Sequence, residues 1–243
     1  ERVYKELKIF THAAMNSKYG ETFIVYNPKF QELKINKSYT VQTDGSIVTT
    51  PENAFVEVLP SSAANAPAYN HLKEMVVVHT GLELGATIVL DYSITTKPGM
   101  TGELDIFSMV KELSPIEDYK FTVNVPEDKP IHYEMLNSSV KPVIKTDNGI
   151  KTVSYTLRNV KPRPYSYPVY GSAVAAIQEV GSGMMPAITV STYESFSSAL
   201  DVLKKQMTVG NAKVIDEKIA EIKKEAGDDK DKVRDAIGQI VSH

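Results

Sequence analysis

Residues 33–42, LKINKSYTVQ, decide the class of fold. Leu33, Ile35, Tyr39 and Val41 share one set of alternate positions, while Lys34, Asn36, Ser38, Thr40 and Gln42 take the other. A period of two puts successive side chains on opposite faces of an extended chain, so the stretch predicts a half-buried antiparallel strand. Lys37 interrupts the apolar face, as an edge or barrel-end position allows. Asp44-Gly45 follows, a pair suited to the positive φ angles of a tight hairpin, and Ile47 and Val48 resume the extended pattern.

The same grammar recurs on both sides. In ATIVLDYSI, Ala86, Ile88, Leu90, Tyr92 and Ile94 alternate with Thr87, Asp91 and Ser93, and Val89 is the exception. MVVVH (75–79) is expected to pair with it across TGLELG. FTVNV (121–125) stops at Pro126, which cannot donate to a ladder. IHYEM (131–135) sets Ile131, Tyr133 and Met135 on one side, and Asn148-Gly149 is the strongest hairpin signal in the chain. Strands at this spacing with no helix between them predict a mainly β protein built as an antiparallel sandwich over residues 1–160. One large sandwich and two small ones both satisfy the pattern. Leu33, Ile35, Val41, Ile88, Leu90, Tyr92, Val123 and Tyr155 are its expected buried set.

Residues 161–190 change character, with three prolines in VKPRPYSYPVYG and breakers in GSGMMP, and read as a connecting segment. Residues 191–243 read as helical. Ser191-Thr-Tyr-Glu194 has the form of a capping box, and Phe196, Leu200, Leu203 and Met207 make one helical stripe. Ile215, Ile219, Ile222 and Ala226 make a second. Gly227 then looks like a helix end and Asp228 a cap, before a third stripe of Val233, Ile237, Ile240 and Val241. That last helix either lies on its own domain or opens another one.

The chemistry is less legible. A net charge of −3 over 243 residues argues against nucleic acid as a main partner. Zero cysteines exclude disulfides, thiolate metal sites and a cysteine nucleophile in this chain. No apolar run reaches the ~18 residues that a membrane-spanning helix needs. A start at ERVYKELKIF without Met is expected of a chain whose upstream segment was removed. No phosphate-binding glycine loop, dinucleotide fingerprint, zinc-helix motif or nucleophile elbow occurs. The histidines at 12, 71, 79, 132 and 243 lack partners at ligand spacing, so no metal or cofactor is expected. Glu103/Asp105 and Glu117/Asp118 are carboxylate pairs of the kind glycosidases use, but sequence neighbours read first as loop charges. Tyr165, Tyr167 and Tyr170 could form a platform for a glycan or peptide, since each ring offers a face and a hydroxyl; covering the sandwich edge is their plainer role.

Taken in order, NAPAYNHLKEMVVVHTGLELGATIVLDYSI, FTVNVPEDKPIHYEM, YTLRNVKPRP and ITVSTYESFSSALDVLKKQM resemble a bacterial β-domain family, domain of unknown function 3857, over most of residues 1–210. Members of that family often carry Trp where Phe196 stands, so Phe196 is expected to serve as the aromatic anchor of its helix. The resemblance implies an exported protein, in periplasm or at the cell surface, with its signal peptide removed. It also implies that a transglutaminase-like domain follows, with DDKDKVRDAIGQIVSH (228–243) as its first helix. Such a domain carries a Cys-His-Asp triad, none of which maps onto this chain. The expectation is therefore a non-catalytic accessory module. The alternative is a free-standing glycan- or peptide-binding sandwich.

Overall fold

The structure, a computed structural model, describes residues 1–66, 68, 71–99, 102–162, 185–206, 212–227 and 229–241. The chain divides into two compact units, Glu1–Gly102 and Glu103–His243. Each contains its own pair of antiparallel sheets.

In the first unit, β1 (Arg2–Lys8), β7 (Thr87–Thr96), β3 (Gln31–Val41) and β4 (Ile47–Thr49) form one sheet in that order. β2 (Glu21–Tyr26), β6 (Lys73–Val78) and β5 (Phe55–Val58) form the other. Ile24 and Val77 from the second sheet meet Leu90 from the first, with Leu33, Ile35, Phe55, Met75, Tyr92 and Ile94 packed around them. The Asp44-Gly45 hairpin joins β3 to β4 as expected, with Gly45 at φ 86° and Asp44 Oδ1 accepting from the Ser46 amide. β6 does not pair with β7. It sits between β2 and β5, so residues 79–86 carry the chain from one sheet to the other rather than closing a hairpin.

The deciding strand holds an irregularity that alternation alone conceals. Ile35 pairs with Tyr92, but Lys37 pairs with Asp91, so Asn36 is an extra residue and β3 bulges there. One inserted residue exchanges the two faces of everything beyond it. Leu33 and Ile35 therefore point to the core, whereas beyond the bulge Ser38 and Thr40 do, both buried. Tyr39 and Val41 turn to the opposite face. Within the expected buried set Ile88, Leu90, Val123 and Tyr155 are buried. Leu33, Ile35, Val41 and Tyr92 are only partly so.

In the second unit, β11 (Val143–Asp147), β12 (Ile150–Val160) and β9 (Ile116–Pro126) form one sheet. β10 (His132–Leu136), β13 (Ala187–Ser191) and β8 (Asp105–Met109) form the other. Asn148 and Gly149, at φ 49° and 75°, make the β11–β12 turn. The core is larger and apolar: Val110, Val123, Val125, Met135, Val153, Tyr155, Leu157, Ile188 and Val190. β13 is the central strand of its sheet although it arises from the end of the proline-rich stretch. Ile188 and Val190 are 0% and 1% exposed, which explains why so short a strand is held there.

Because Ser191 ends a strand, it caps no helix. α1 (Phe196–Gln206) has its cap at Ser195, four residues later, in a box made by two serines. The Ser198 amide donates to Ser195 Oγ at 3.2 Å and the Ser195 amide to Ser198 Oγ at 3.1 Å, which satisfies two otherwise free amides reciprocally. Phe196 is 78% exposed and Leu203 54%, so Phe196 does not anchor its helix. α2 (Ala212–Ala226) ends at Gly227, whose φ of 57° and amide bond to the Lys223 carbonyl close the last turn. Asp229 caps α3 (Lys230–Val241), accepting from the amides of Asp231 and Lys232, while Asp228, the expected cap, lies outside the described residues. α3 packs on α2, where Ile222 is buried. The side chains of Met207, Ile215, Ile237, Ile240 and Val241 lie outside the described residues.

Candidate functional site

The outer face of β8–β13–β10 in the second unit offers a candidate surface. Register sets its side chains in rows: Asp105, Ser191 and His132 in one, Phe107, Thr189 and Glu134 in the next. The middle strand carries short hydroxyl side chains and the flanking strands longer ones. The result is a trough along β13, and these residues line a cavity of about 370 Å³. Tyr133, Val190 and Ile106, the row between, belong to the core packing beneath. Asp105, Glu134, His132 and Phe107 are exposed, Phe107 at 51%.

Serine between histidine and aspartate invites comparison with a hydrolytic triad, but the order is wrong. A triad needs the histidine in the middle, bonded to both partners. Here Ser191 is in the middle, and His132 and Asp105 lie on strands two spacings apart, about 9.5 Å. Among the described residues no hydrogen bond joins Ser191 to either; its Oγ accepts from the Tyr193 amide at 3.4 Å.

The other carboxylates are committed. Glu103 holds the Lys129 ammonium at 2.7 Å and the Thr192 hydroxyl at 2.6 Å, and these bonds, Lys129 first, keep its pKa below the usual range. Asp118 pairs with Arg158 at 3.2 Å, so the Glu117/Asp118 pair gathers no second catalytic group. Tyr165, Tyr167 and Tyr170 lie outside the described residues, as does His243. Among the described residues no group of three His, Cys, Asp or Glu is placed to hold a metal ion.

Among the described residues of the first unit, two charged or titratable groups, Asp91 and His79, are buried. Asp91 is fully covered on the outer face of its sheet, gripped by the Arg2 guanidinium at 2.5 and 3.0 Å and by the Asn36 amide at 3.0 Å. These bonds, Arg2 first, pull its pKa down to about 2. Asn36 also reaches Ser93 Oγ, so the bulge residue ties β3 to β7 through its side chain. Three strands meet at this carboxylate, and its role is to pin them. His79 is buried between the sheets, with Nε2 on the Thr22 hydroxyl at 2.8 Å and no partner for Nδ1 among the described residues. Burial, and then the nearby Lys5 charge, lower its pKa to about 4. Asp91 and His79 are features of the first unit's own architecture.

Residues 1–164 match the family model described as "Domain of Unknown Function with solved-structure structure (DUF3857)". The chain belongs to this family. The DUF3857 match spans both pairs of sheets up to β12 and stops before β13. A solved structure is also similar: the crystal structure of a "putative protease" from Parabacteroides distasonis ATCC 8503, 46% identical, with a TM-score of 0.83. The likeness covers 99% of this chain and 46% of that one, so this chain spans about half the length of its structural relative. No curated protein matches the chain.

The sequence alone named Asp105 and His132 separately and did not bring them together. Their meeting depends on pairings of β13 with strands about 55 and 80 residues earlier, which no local pattern encodes.

Proposed function

We propose that this chain is the non-catalytic accessory and recognition part of a longer exported protein whose chemistry belongs to a transglutaminase-like domain, a cysteine peptidase or acyl-transfer enzyme. The observation that carries the reading is the asymmetry of coverage: nearly all of this chain corresponds to less than half of a protein described as a putative protease. A thiolate mechanism needs a cysteine with a histidine base and an acidic partner, and zero cysteines here leave that nucleophile to another segment. On this reading residues 228–243 are the first helix of the catalytic domain, and the protein works in the periplasm or at the cell surface.

Reading the gene beyond the codon for His243 tests it. A downstream cysteine followed by histidine and aspartate is expected, together with peptide or acyl turnover by the full-length protein and none by residues 1–243. A stop codon just after His243 would remove the reading. It would leave the free-standing glycan- or peptide-binding module, which the trough on the second unit favours.

A further inference from the structure

We infer that the trough along β13 binds the cationic side chain, lysine or arginine, of an extended peptide; this rests on reading the chain as a recognition module. The first argument is shape. Thr189 and Ser191 form a low floor, and the strands on either side stand about 9.5 Å apart, room for one extended side chain or strand but not for a folded surface.

The second is charge. Asp105 stands on one wall and Glu134 on the other, one row along, and neither has an ion-pair partner among the described residues. Lys129 is already held by Glu103, two residues before Asp105 in the chain. Both walls thus present uncompensated negative charge to whatever enters. The third is the ring. Phe107 lies in the same row as Glu134 across Thr189, so a cation reaching that row meets a carboxylate on one side and an aromatic face on the other. Hydroxyls on the floor accept the remaining N–H groups of an ammonium or guanidinium. A neutral glycan would satisfy the ring and the hydroxyls but leave both carboxylates uncompensated, which is why the peptide is favoured.

The test is an NMR titration of the 243-residue chain with end-blocked Gly-Lys-Gly and Gly-Arg-Gly, compared with end-blocked Gly-Gln-Gly and a tetramer of N-acetylglucosamine. Amide shifts are expected at residues 105–107, 132–134 and 189–191, with the glutamine peptide binding at least tenfold more weakly. Asp105→Asn and Glu134→Gln together should weaken the basic peptides at least tenfold while leaving the spectrum of the first unit unchanged. Absent shifts, equal binding of the glutamine peptide, affinity that survives the double variant, or a sugar tetramer that binds there in place of the basic peptides would each overturn the inference. None of these outcomes bears on turnover by the full-length protein, so this inference can fail while the accessory role stands.

Discussion

The two units solve the same packing problem with different interiors. The first buries Ser38, Thr40, Thr50, His79 and Asp91; Ile24, Val77 and Leu90 form its buried apolar cluster, and Ile9, Ile88 and Val89 are buried outside that cluster. The second buries nine apolar residues in one cluster, and Thr192 is its buried polar group among the described residues. Buried polar groups cost free energy unless bonded, and Thr40 Oγ1, His79 Nδ1 and Thr80 Oγ1 have no partner among the described residues, all in the first unit. The lesson is that the second unit rests on an apolar interior, while the first carries titratable and polar groups inside it.

The largest expected effect separates the cores. Tyr155→Ala, at a position 1% exposed in the nine-residue cluster, should cost about 4 kcal/mol and be felt in the strands of the second unit. Leu90→Ala should cost about 3 kcal/mol and be felt in the first. Denaturant unfolding with probes in each unit checks both; equal effects on both units from either variant would erase the distinction.

Acid comes next. His79 titrates near 6.5 when unfolded and about 4 when folded, so the unfolded chain binds more protons between those values. Stability of the first unit is therefore full above pH 6.5 and falls as pH drops toward 4, by about 2–3 kcal/mol at most. His79→Gln, which keeps a group able to bond Thr22, should flatten that slope. An unchanged slope would assign the acid response elsewhere. Asp91 adds a separate loss only below about pH 4, because its folded pKa lies near 2. The smallest effect is Ser195→Ala, about 1 kcal/mol confined to α1, from the loss of one half of the serine box.

Much of this architecture was legible. Alternation gave β3, β7, β9 and β12, and the two Gly turns were right because only a residue tolerant of positive φ fits there. What alternation could not give was the bulge: an inserted residue has no composition of its own. Lys37 on the apolar face was its trace, and it read as an edge because the partner strand, which shows Asn36 bound to Asp91 and Ser93, is about 55 residues away. β13 was hidden by the breakers before it, and the helix cap by a plausible Ser-x-x-Glu four residues too early. The trough was illegible for a different reason. It is a property of three strands in register, and each contributes only two residues to it.

Hydrogen exchange at pH 7 and again at pH 4.5, where Asp91 remains ionised, tests the contrast most directly. Amides of β2, β3, β6 and β7 should lose protection on acidification, by roughly tenfold or more if His79 supplies even half of its expected contribution. Amides of β9, β12 and β13 should keep theirs. Protection lost first, or equally, in β9, β12 and β13 would contradict the account.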